Sequence, residues 1–250
     1  MPHLVIEERG RVALARLDRP AKRNAVNDAL VAEIATFFRS PPEATRAVVL
    51  HGAGDHFCAG LDLSEHTARD AFATMLHSRS WHDAFEHIQF GRVPVIAAMH
   101  GAVIGGGMEL ATACHIRVAD ETTFYQMPEG QRGIFVGGGA TVRVARVIGA
   151  HRMVEMMLTG RRCDAEEGLR LGLSHYRVDK GEALAKALEL AATVAEMAPL
   201  SVYAILQSIA RIDDMDASTG LFTESLVASL VQTGPEAQTR LKAFLERKKK

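Results

Sequence analysis

Ile104-Gly-Gly-Gly-Met-Glu-Leu110 is the most informative segment of this chain, together with an earlier turn, Phe57-Cys-Ala-Gly-Leu-Asp-Leu63. A third segment, Met127-Pro-Glu-Gly130, adds a second glutamate to Glu109. Glycine-rich turns can leave backbone N–H groups free to point at one oxygen atom, and nearby carboxylates can move protons. These parts suit the polarisation of a carbonyl group, so the sequence predicts an enzyme.

Composition limits the classes of protein that need to be considered. The chain has 250 residues, of which 48% are hydrophobic, enough for one large core or one core with an appendage. Lys and Arg total 29 against 30 Asp and Glu, so no net charge draws the molecule towards nucleic acid or an anionic membrane. No segment approaches the about 18 apolar residues of a membrane span, and the N-terminus has no targeting pattern. We expect a cytoplasmic protein.

Neither the cysteines nor the histidines have the spacing of a metal site. Cys58, Cys114 and Cys163 lie far apart without a C-x-x-C pair, and the 11 histidines form no H-E-x-x-H motif. The sequence therefore predicts a reducing compartment and no metal. Cys58 is expected to be a small buried residue rather than a nucleophile.

Hydrophobic periodicity predicts an α/β protein. Alternating residues predict a hairpin of Leu4–Glu8 and Val12–Leu17, and Asn27 is a candidate N-cap for a helix to about Arg39. Strand, turn and helix then recur. The predicted buried strands are Ala47–Leu50, Pro94–Met99 and Ile116–Ala119, and the predicted helices between them are about Ala68 to Phe90 and Gly105–Ala113.

Helical patterns dominate after about Gly149. Breaks at Gly172, Pro199 and Gly234-Pro235 separate the predicted helices, and the composition shift places a subdomain boundary near residues 195–200. These helices are Val154–Leu158, Ala165–Leu171, Glu182–Ala198, Leu200–Ala210, Thr219–Val231 and Ala237–Arg247.

The motifs together resemble those of the crotonase superfamily, also called the enoyl-CoA hydratase/isomerase family. The similarity runs through Asp18–Ala25, His56–Leu63, Pro94–Leu110 and Pro128–Gly149 in the family order. It implies a crotonase-like spiral of stacked ββα units with a C-terminal helical subdomain, divided into a core with the active site at residues 1–196 and a helical trimerisation region at 197–250. It also implies a homotrimer or a hexamer made of two trimers, and an acyl-CoA thioester substrate. Coenzyme A then enters with the substrate, so no separate cofactor is expected.

The resemblance assigns backbone groups as well. The N–H groups of Leu61 and Gly106 would form an oxyanion hole, and the start of a helix at Gly106 suits that role because its first N–H groups lack partners. Gly137 would position the attacking water. The alternative for the glycines at 105–107 is that they only allow close packing of strand and helix.

Glu109 and Glu129 match the two catalytic glutamates of the hydratases in this superfamily. The implied reaction is the reversible syn addition of water to a 2-enoyl-CoA, giving a 3-hydroxyacyl-CoA, with Glu109 as the base and Glu129 as the acid. Two alternatives for the function stay open: an isomerase or another acyl-CoA lyase or hydrolase of this superfamily, and a non-catalytic acyl-CoA-binding protein. A simpler alternative for the residues is a solvated Glu109 and a surface pair of Glu129 with Arg132.

Binding of the substrate is assigned to further residues. Lys22, Arg23, Ala59 and Gly60 match the family's CoA-binding positions, although the two cations could equally be solvated. The basic end, Arg247-Lys-Lys-Lys250, could reach a CoA phosphate across a subunit interface.

Arg132 departs from the usual family pattern. It would keep Glu129 ionised, point away from the site, or bind a polar acyl substituent. Met75, Trp81 and Phe85 are candidates for the wall of an acyl pocket, although a plain core position would explain the same spacing.

Overall fold

The computed structural model describes residues 2–64 and 69–247, and it begins with the predicted hairpin. Strands β1 (Leu4–Arg9) and β2 (Val12–Leu17) pair antiparallel, with Leu4 opposite Leu17. Gly10 makes the turn between them with a φ of 63°, a left-handed conformation that favours glycine. Helix α1 (Asp28–Arg39) follows, and the Asn27 side chain accepts a hydrogen bond from the Leu30 amide as an N-cap.

The central sheet is largely parallel. Strand β3 (Ala47–Gly52) leads into helix α2 (Ala71–Gln89), and strands β4 (Val95–Met99) and β6 (Ile116–Asp120) continue the sheet. The sheet order is β1-β2-β3-β4-β6 followed by β9 (Tyr176–Val178), with parallel pairing from β2 onwards. The apolar residues of β3 and β4 are buried because helices or strands cover both faces.

A second, three-stranded sheet turns the repeat into a spiral. After β4 the chain crosses into β5 (Ala102–Ile104) and then helix α3 (Gly106–Ala113), and after β6 it crosses into β7 (Phe124–Gln126). Strands β5 and β7 pair in parallel, and β8 (Arg162–Asp164) closes this sheet on the other side of β7. Successive turns therefore stack strand on strand, which confirms the predicted α/β spiral of ββα units.

Helices make up most of the remaining chain. Helix α4 (Ala140–Ile148) packs against α3 and α5 (Ala150–Thr159), and helix α6 (Ala165–Arg170) packs against β7 and β8 of the second sheet. Helix α7 (Ala183–Ala195) packs its alanines on the central sheet. The last helices are α8 (Pro199–Ile212), α9 (Ala217–Gln232) and α10 (Pro235–Arg247). The division between residues 196 and 197 remains a prediction.

Several predicted boundaries differ from the structure. The long helix begins at Ala71, and the predicted start at Ala68 lies outside the described residues. Pro199, expected as a break, is the first residue of a helix, a position where its missing N–H costs no hydrogen bond. Helix α4 and strands β5, β7, β8 and β9 were not predicted. Among the described residues no single helix is long and apolar enough to cross a membrane, while α7 and α8, bent by 112°, pass that test only as a pair.

Candidate active site

One cavity brings the predicted site residues together. It has a volume of about 520 Å³, and the first turns of α2 form one wall while the segment 132–138 forms another. Its lining includes Ala59, Gly60, Leu61, Gly106, Glu109, Glu129 and Gly137. Lys22 and Arg23 lie outside this lining.

The amides of Leu61 and Gly106 are open to a ligand. Val26 donates its N–H to the Gly60 carbonyl at 2.7 Å and accepts from the Asp62 amide at 2.9 Å. In such a parallel bridge the residue between the two bonded positions, Leu61, turns its own N–H the other way. Gly106 is the first residue of α3, so its N–H has no intrahelical acceptor. Within the described part of the chain, neither amide has a hydrogen-bond acceptor.

Glycine is required where these two turns approach each other. A Cβ atom built on Gly60 would lie 2.7 Å from the Ile104 carbonyl oxygen and 3.1 Å from the Gly106 nitrogen. One built on Gly106 would lie 2.8 Å from a ring carbon of Trp81. The glycines therefore serve close packing, as the alternative interpretation held, and the same packing places both open amides in one cavity.

Glu109 is buried on α3, with 3% of its surface exposed, and is held by two backbone amides. Its Oε1 atom accepts hydrogen bonds from the N–H groups of Gly138 at 2.7 Å and Ala140 at 3.0 Å. Burial raises the pKa of Glu109, whereas the two amides and the Arg143 charge oppose that rise. Glu109 is therefore not a solvated first-turn residue.

Glu129 is also buried, but it has fewer hydrogen-bond partners than Glu109. It is 8% exposed, and its Oε2 atom is buried without a hydrogen-bond partner among the described residues. Burial, helped by the charge of Glu109, raises the pKa of Glu129 to about 7. The opposing charge of Arg132 is weaker than the effect of burial. Desolvation therefore outweighs the charge of Arg132, which opposes the rise of the pKa of Glu129 without cancelling it.

Hydrogen bonds from two side chains, Arg143 and Ser78, hold the loop that contacts Glu109. Arg143 on α4, 8% exposed, donates from Nη1 to the Gly138 carbonyl at 2.9 Å and from Nε to the Gln89 side chain at 2.7 Å. Ser78 donates from its hydroxyl to the Gly137 carbonyl at 2.6 Å. The amides of 138 and 140 point at Glu109, and the Gly137 amide has no acceptor among the described residues.

The turn assigned to CoA is rigid, but part of it is already bonded. Arg23 is left-handed with a φ of 52°, and its carbonyl accepts the Ala59 N–H at 3.0 Å. The Lys22 ammonium donates to the Ser64 hydroxyl at 2.7 Å. The Ala59 N–H is therefore not available to a ligand. The Ala59 carbonyl is available, because no backbone N–H of the described residues donates to it.

A buried asparagine holds this turn against the core, and sequence reasoning did not single it out. The Asn24 side chain donates to the carbonyls of Ala53 and His56 at 2.8 and 2.7 Å and accepts from the Arg19 amide at 3.0 Å. Its left-handed φ of 55° is one that asparagine tolerates better than most residues. An asparagine in a turn, where a left-handed backbone is needed, was the sequence signal that could have identified Asn24.

Asp62, in the first glycine-rich segment, has a structural role. It forms a buried ion pair of 2.9 Å with Arg19. Burial alone raises the pKa of Asp62, but hydrogen bonds from Ser64 and Arg19 lower it to about 2. Asp62 directly follows Leu61, and its bonds to Arg19 and Ser64 therefore hold the chain in place next to the Leu61 amide.

Other predicted residues are divided between site and core. Met75 and Trp81 line the cavity, whereas Phe85 belongs to the core. Burial raises the pKa of Cys58 to about 12, as fits a buried residue that is not a nucleophile. In the described part of the chain no three His, Cys, Asp or Glu side chains form a potential metal site. The lysines at 248–250 lie outside the described residues.

Comparison with known proteins agrees with this architecture. The family model described as Enoyl-CoA hydratase/isomerase matches residues 7–250. A crystal structure titled as a putative enoyl-CoA hydratase from Rhodopseudomonas palustris superposes with a TM-score of 0.96 at 52% identity, covering 99% of this chain and 96% of that chain. An enoyl-CoA hydratase of Mycobacterium tuberculosis is 32% identical over 253 residues, and a short-chain-enoyl-CoA hydratase of Clostridium acetobutylicum is 30% identical over 250; each covers 99% of this chain, and 95% and 96% of the relative.

The chain therefore belongs to the enoyl-CoA hydratase/isomerase family, that is, the crotonase superfamily. The matched relatives are named as hydratases, which are hydro-lyases. The prediction of an enoyl-CoA hydratase-like enzyme is confirmed at the level of the family.

Proposed function

We propose that the protein adds water reversibly and in syn geometry across the double bond of a 2-enoyl-CoA, giving a 3-hydroxyacyl-CoA. One observation carries the proposal: two buried carboxyl groups, Glu109 and Glu129, line the same cavity as two open backbone amides. An isomerisation needs one proton-transfer group to move a proton between carbons. Hydration uses two, because water loses a proton while the α-carbon gains one.

In the proposed mechanism, the thioester oxygen accepts hydrogen bonds from the Leu61 and Gly106 amides. Glu109 takes a proton from water, whose oxygen forms a bond to the β-carbon, while the electrons of the double bond move towards the thioester oxygen. Glu129 then gives its proton to the α-carbon as the enolate collapses. Proton exchange with solvent restores both carboxyl groups. Donors that meet the negative charge at the transition state contribute about 10² to 10³ each in rate.

The environments of the two carboxyl groups support this division of roles. Burial raises the pKa of both groups, but two amides donate to Glu109 and oppose that rise, favouring the ionised form that a base needs. Glu129, whose pKa is raised to about 7, still carries a proton in about half of the molecules at that pH, as an acid should. We assign the open Gly137 amide to the attacking water, because it lies in the loop that contacts Glu109.

We assign the coenzyme to the side of the cavity next to Gly60. Lys22 and Arg23 supply positive charge for phosphates, and the Ala59 carbonyl and the Gly60 backbone supply polar contacts for the adenine. The reaction as proposed needs no separate cofactor, because the two carboxyl groups and the two amides supply every step. We also expect the protein to be cytoplasmic.

We also propose that the protein assembles as a homotrimer or as a pair of trimers. Helix α9 exposes large apolar side chains in one row, namely Phe222, Leu226 and Leu230, which are 65%, 56% and 62% exposed in the single chain. Their spacing of four places them on one face of the helix. An apolar stripe of this kind is stable in water when another subunit covers it.

The proposal is tested by mixing purified protein with crotonyl-CoA and following the absorbance of the conjugated thioester. Hydration removes the signal, and E109Q and E129Q should each lower its rate at least about a hundredfold. E43Q, which changes an exposed loop glutamate, is the matched control. Tight binding without turnover would favour a non-catalytic binder. Full activity in the double glutamine variant would refute the proposed roles.

A further inference from the structure

Arg132 is the one lysine or arginine among the described residues that lines the cavity. It is exposed, and its guanidinium forms no hydrogen bond or ion pair with any described residue. Two other polar side chains of the lining have partners: His77 contacts Asp28 at 2.9 Å, and Ser78 donates to the Gly137 carbonyl. Of the Lys and Arg side chains that the structure describes, Arg132 is thus the one that meets the cavity without a bonded partner.

The backbone beneath Arg132 is fixed. Residues Gly130–Arg132 form a short 3₁₀ turn, and the amides of Arg132 and Ile134 both donate to the Glu129 carbonyl, at 3.0 and 3.1 Å. The Gln131 side chain donates to the Thr159 carbonyl at 2.9 Å. The backbone of Arg132 is therefore held by the Glu129 carbonyl, and the Arg132 charge lowers the pKa of the Glu129 carboxyl group.

The segment that follows Arg132 along the cavity wall is apolar. It contributes Ile134, Phe135 and Val136 to the lining, which also includes Leu63 and Met75. A plain alkyl chain in this cavity would offer the guanidinium no hydrogen-bond acceptor. An acyl group that ends in a carboxylate would accept two parallel N–H bonds from it.

We propose that the acyl group of the substrate carries a carboxylate, and that Arg132 binds it as the specificity-determining residue. This inference rests on the proposed function and names the substrate class of the same site. Of the alternatives that the sequence offers for Arg132, it selects the binding of a polar acyl substituent and rejects a side chain that points away from the site.

The electrostatics of the acid support the same assignment. In the unliganded protein the Arg132 charge lowers the pKa of Glu129, against the effect of burial. A substrate carboxylate on Arg132 would neutralise that charge and strengthen the hold of Glu129 on its proton. Recognition of the acyl end would thus help to keep the acid ready for proton transfer.

Binding of saturated acyl-CoA thioesters tests the proposal without turnover. Adipyl-CoA and hexanoyl-CoA have six acyl carbons each and differ in the terminal carboxylate, and neither has a double bond to hydrate. By titration calorimetry we expect the protein to bind adipyl-CoA at least about tenfold more tightly. R132Q should remove this preference and leave hexanoyl-CoA binding within about twofold, whereas R132K should retain part of it. R79Q, on the same cavity-forming helix but outside the lining, removes an equal charge as the control.

Two results would overturn the proposal. One is equal affinity of the wild-type protein for both thioesters. The other is an R132Q variant that weakens adipyl-CoA, hexanoyl-CoA and free CoA alike, which would place Arg132 at the coenzyme. A protein that prefers adipyl-CoA but fails to hydrate any 2-enoyl-CoA would contradict the proposed function and leave the role of Arg132 standing.

Discussion

The Oε1 atom of Glu109 accepts a hydrogen bond from the backbone N–H of Gly138 at 2.7 Å. This contact joins the helix that follows the second glycine-rich turn to a loop 29 residues further along the chain. A Cβ atom at position 138 would lie 2.6 Å from the other carboxylate oxygen, so only glycine allows the approach. The proposed base is thus oriented by backbone groups, which have little freedom to reorganise during a reaction.

The rate of hydration should fall as pH rises above about 7. The pKa of Glu129 is raised to about 7, so its proton, which the proposed mechanism delivers to the α-carbon, is lost above that value. We expect kcat for crotonyl-CoA to drop about tenfold for each further pH unit. A steady-state pH profile measures this, and a kcat that stays flat to pH 9 would contradict the assignment of Glu129 as the acid.

The same shift predicts a change in stability. A carboxyl group whose pKa is raised on folding binds more protons in the native state than in the unfolded state, so stability falls as pH rises from about 4.5 to about 7. E129Q removes the titrating group. Thermal melts at pH 5 and pH 8 should therefore show a larger loss of Tm in the wild-type protein than in E129Q, with E43Q behaving as wild type.

Substitution of Gly105 should disable the acid without unfolding the protein. A Cβ atom there would lie 2.2 Å from Oε1 of Glu129, and the residue has a φ of 50°. We expect G105A to lower kcat at least about a hundredfold by displacing the Glu129 carboxyl group.

Gly10 provides the matched control for backbone strain. It also has a positive φ, 63°, but nothing lies within 4 Å of a Cβ built on it. Both alanine variants carry a strain of about 1–2 kcal/mol, measurable by denaturant unfolding. Only G105A should lose activity, and comparable activity in the two variants would refute the prediction.

Arg143 is expected to act as a positioning residue for the base. It holds the Gly138 carbonyl, and its charge lowers the pKa of Glu109. R143Q should therefore move the acidic limb of the kcat/KM profile to higher pH and lower the rate at neutral pH about tenfold. R143K, which keeps the charge, should shift the limb less.

A second buried arginine separates positioning from general destabilisation. Arg117 is 6% exposed and donates to the carbonyls of Leu173 and Cys114, away from the cavity lining. R117Q should lower the unfolding free energy without moving the acidic limb, and an equal shift in both variants would argue against a specific role for Arg143.

Charged substitutions on helix α9 test the proposed trimer or hexamer, because the row of Phe222, Leu226 and Leu230 is its proposed contact surface. L226D places a charge in the centre of the row and should convert a trimer or hexamer to smaller species in sedimentation velocity experiments. Q232E places the same charge on the same helix at an exposed polar position away from the face of the row, and it should leave the assembly intact. A wild-type protein that sediments as a monomer would contradict the proposal.

Local sequence signals predicted most of the sheet and the helices, because those elements carry their own patterns. The predicted parts of β3 and β4 are continuous apolar runs between turn residues, β6 is apolar apart from Arg117 and Asp120, and Asn27 marks the start of α1. Strands β5, β7, β8 and β9 were missed because each has three residues and forms by pairing with a neighbouring strand rather than by a pattern of its own. Helix α4 was missed because its pattern includes Arg143, whose burial depends on Gln89 and Gly138.

By itself the sequence determined the family, the glycine-rich turns and the candidate acids, since these depend on the identity and order of residues along the chain. Only the tertiary structure decided the state of those acids. Both glutamates carry the same carboxyl group, but one meets two amides from a distant loop and the other is desolvated without a partner for Oε2. Burial and long-range hydrogen bonds set a pKa, and neither is encoded in the residues beside the group in sequence.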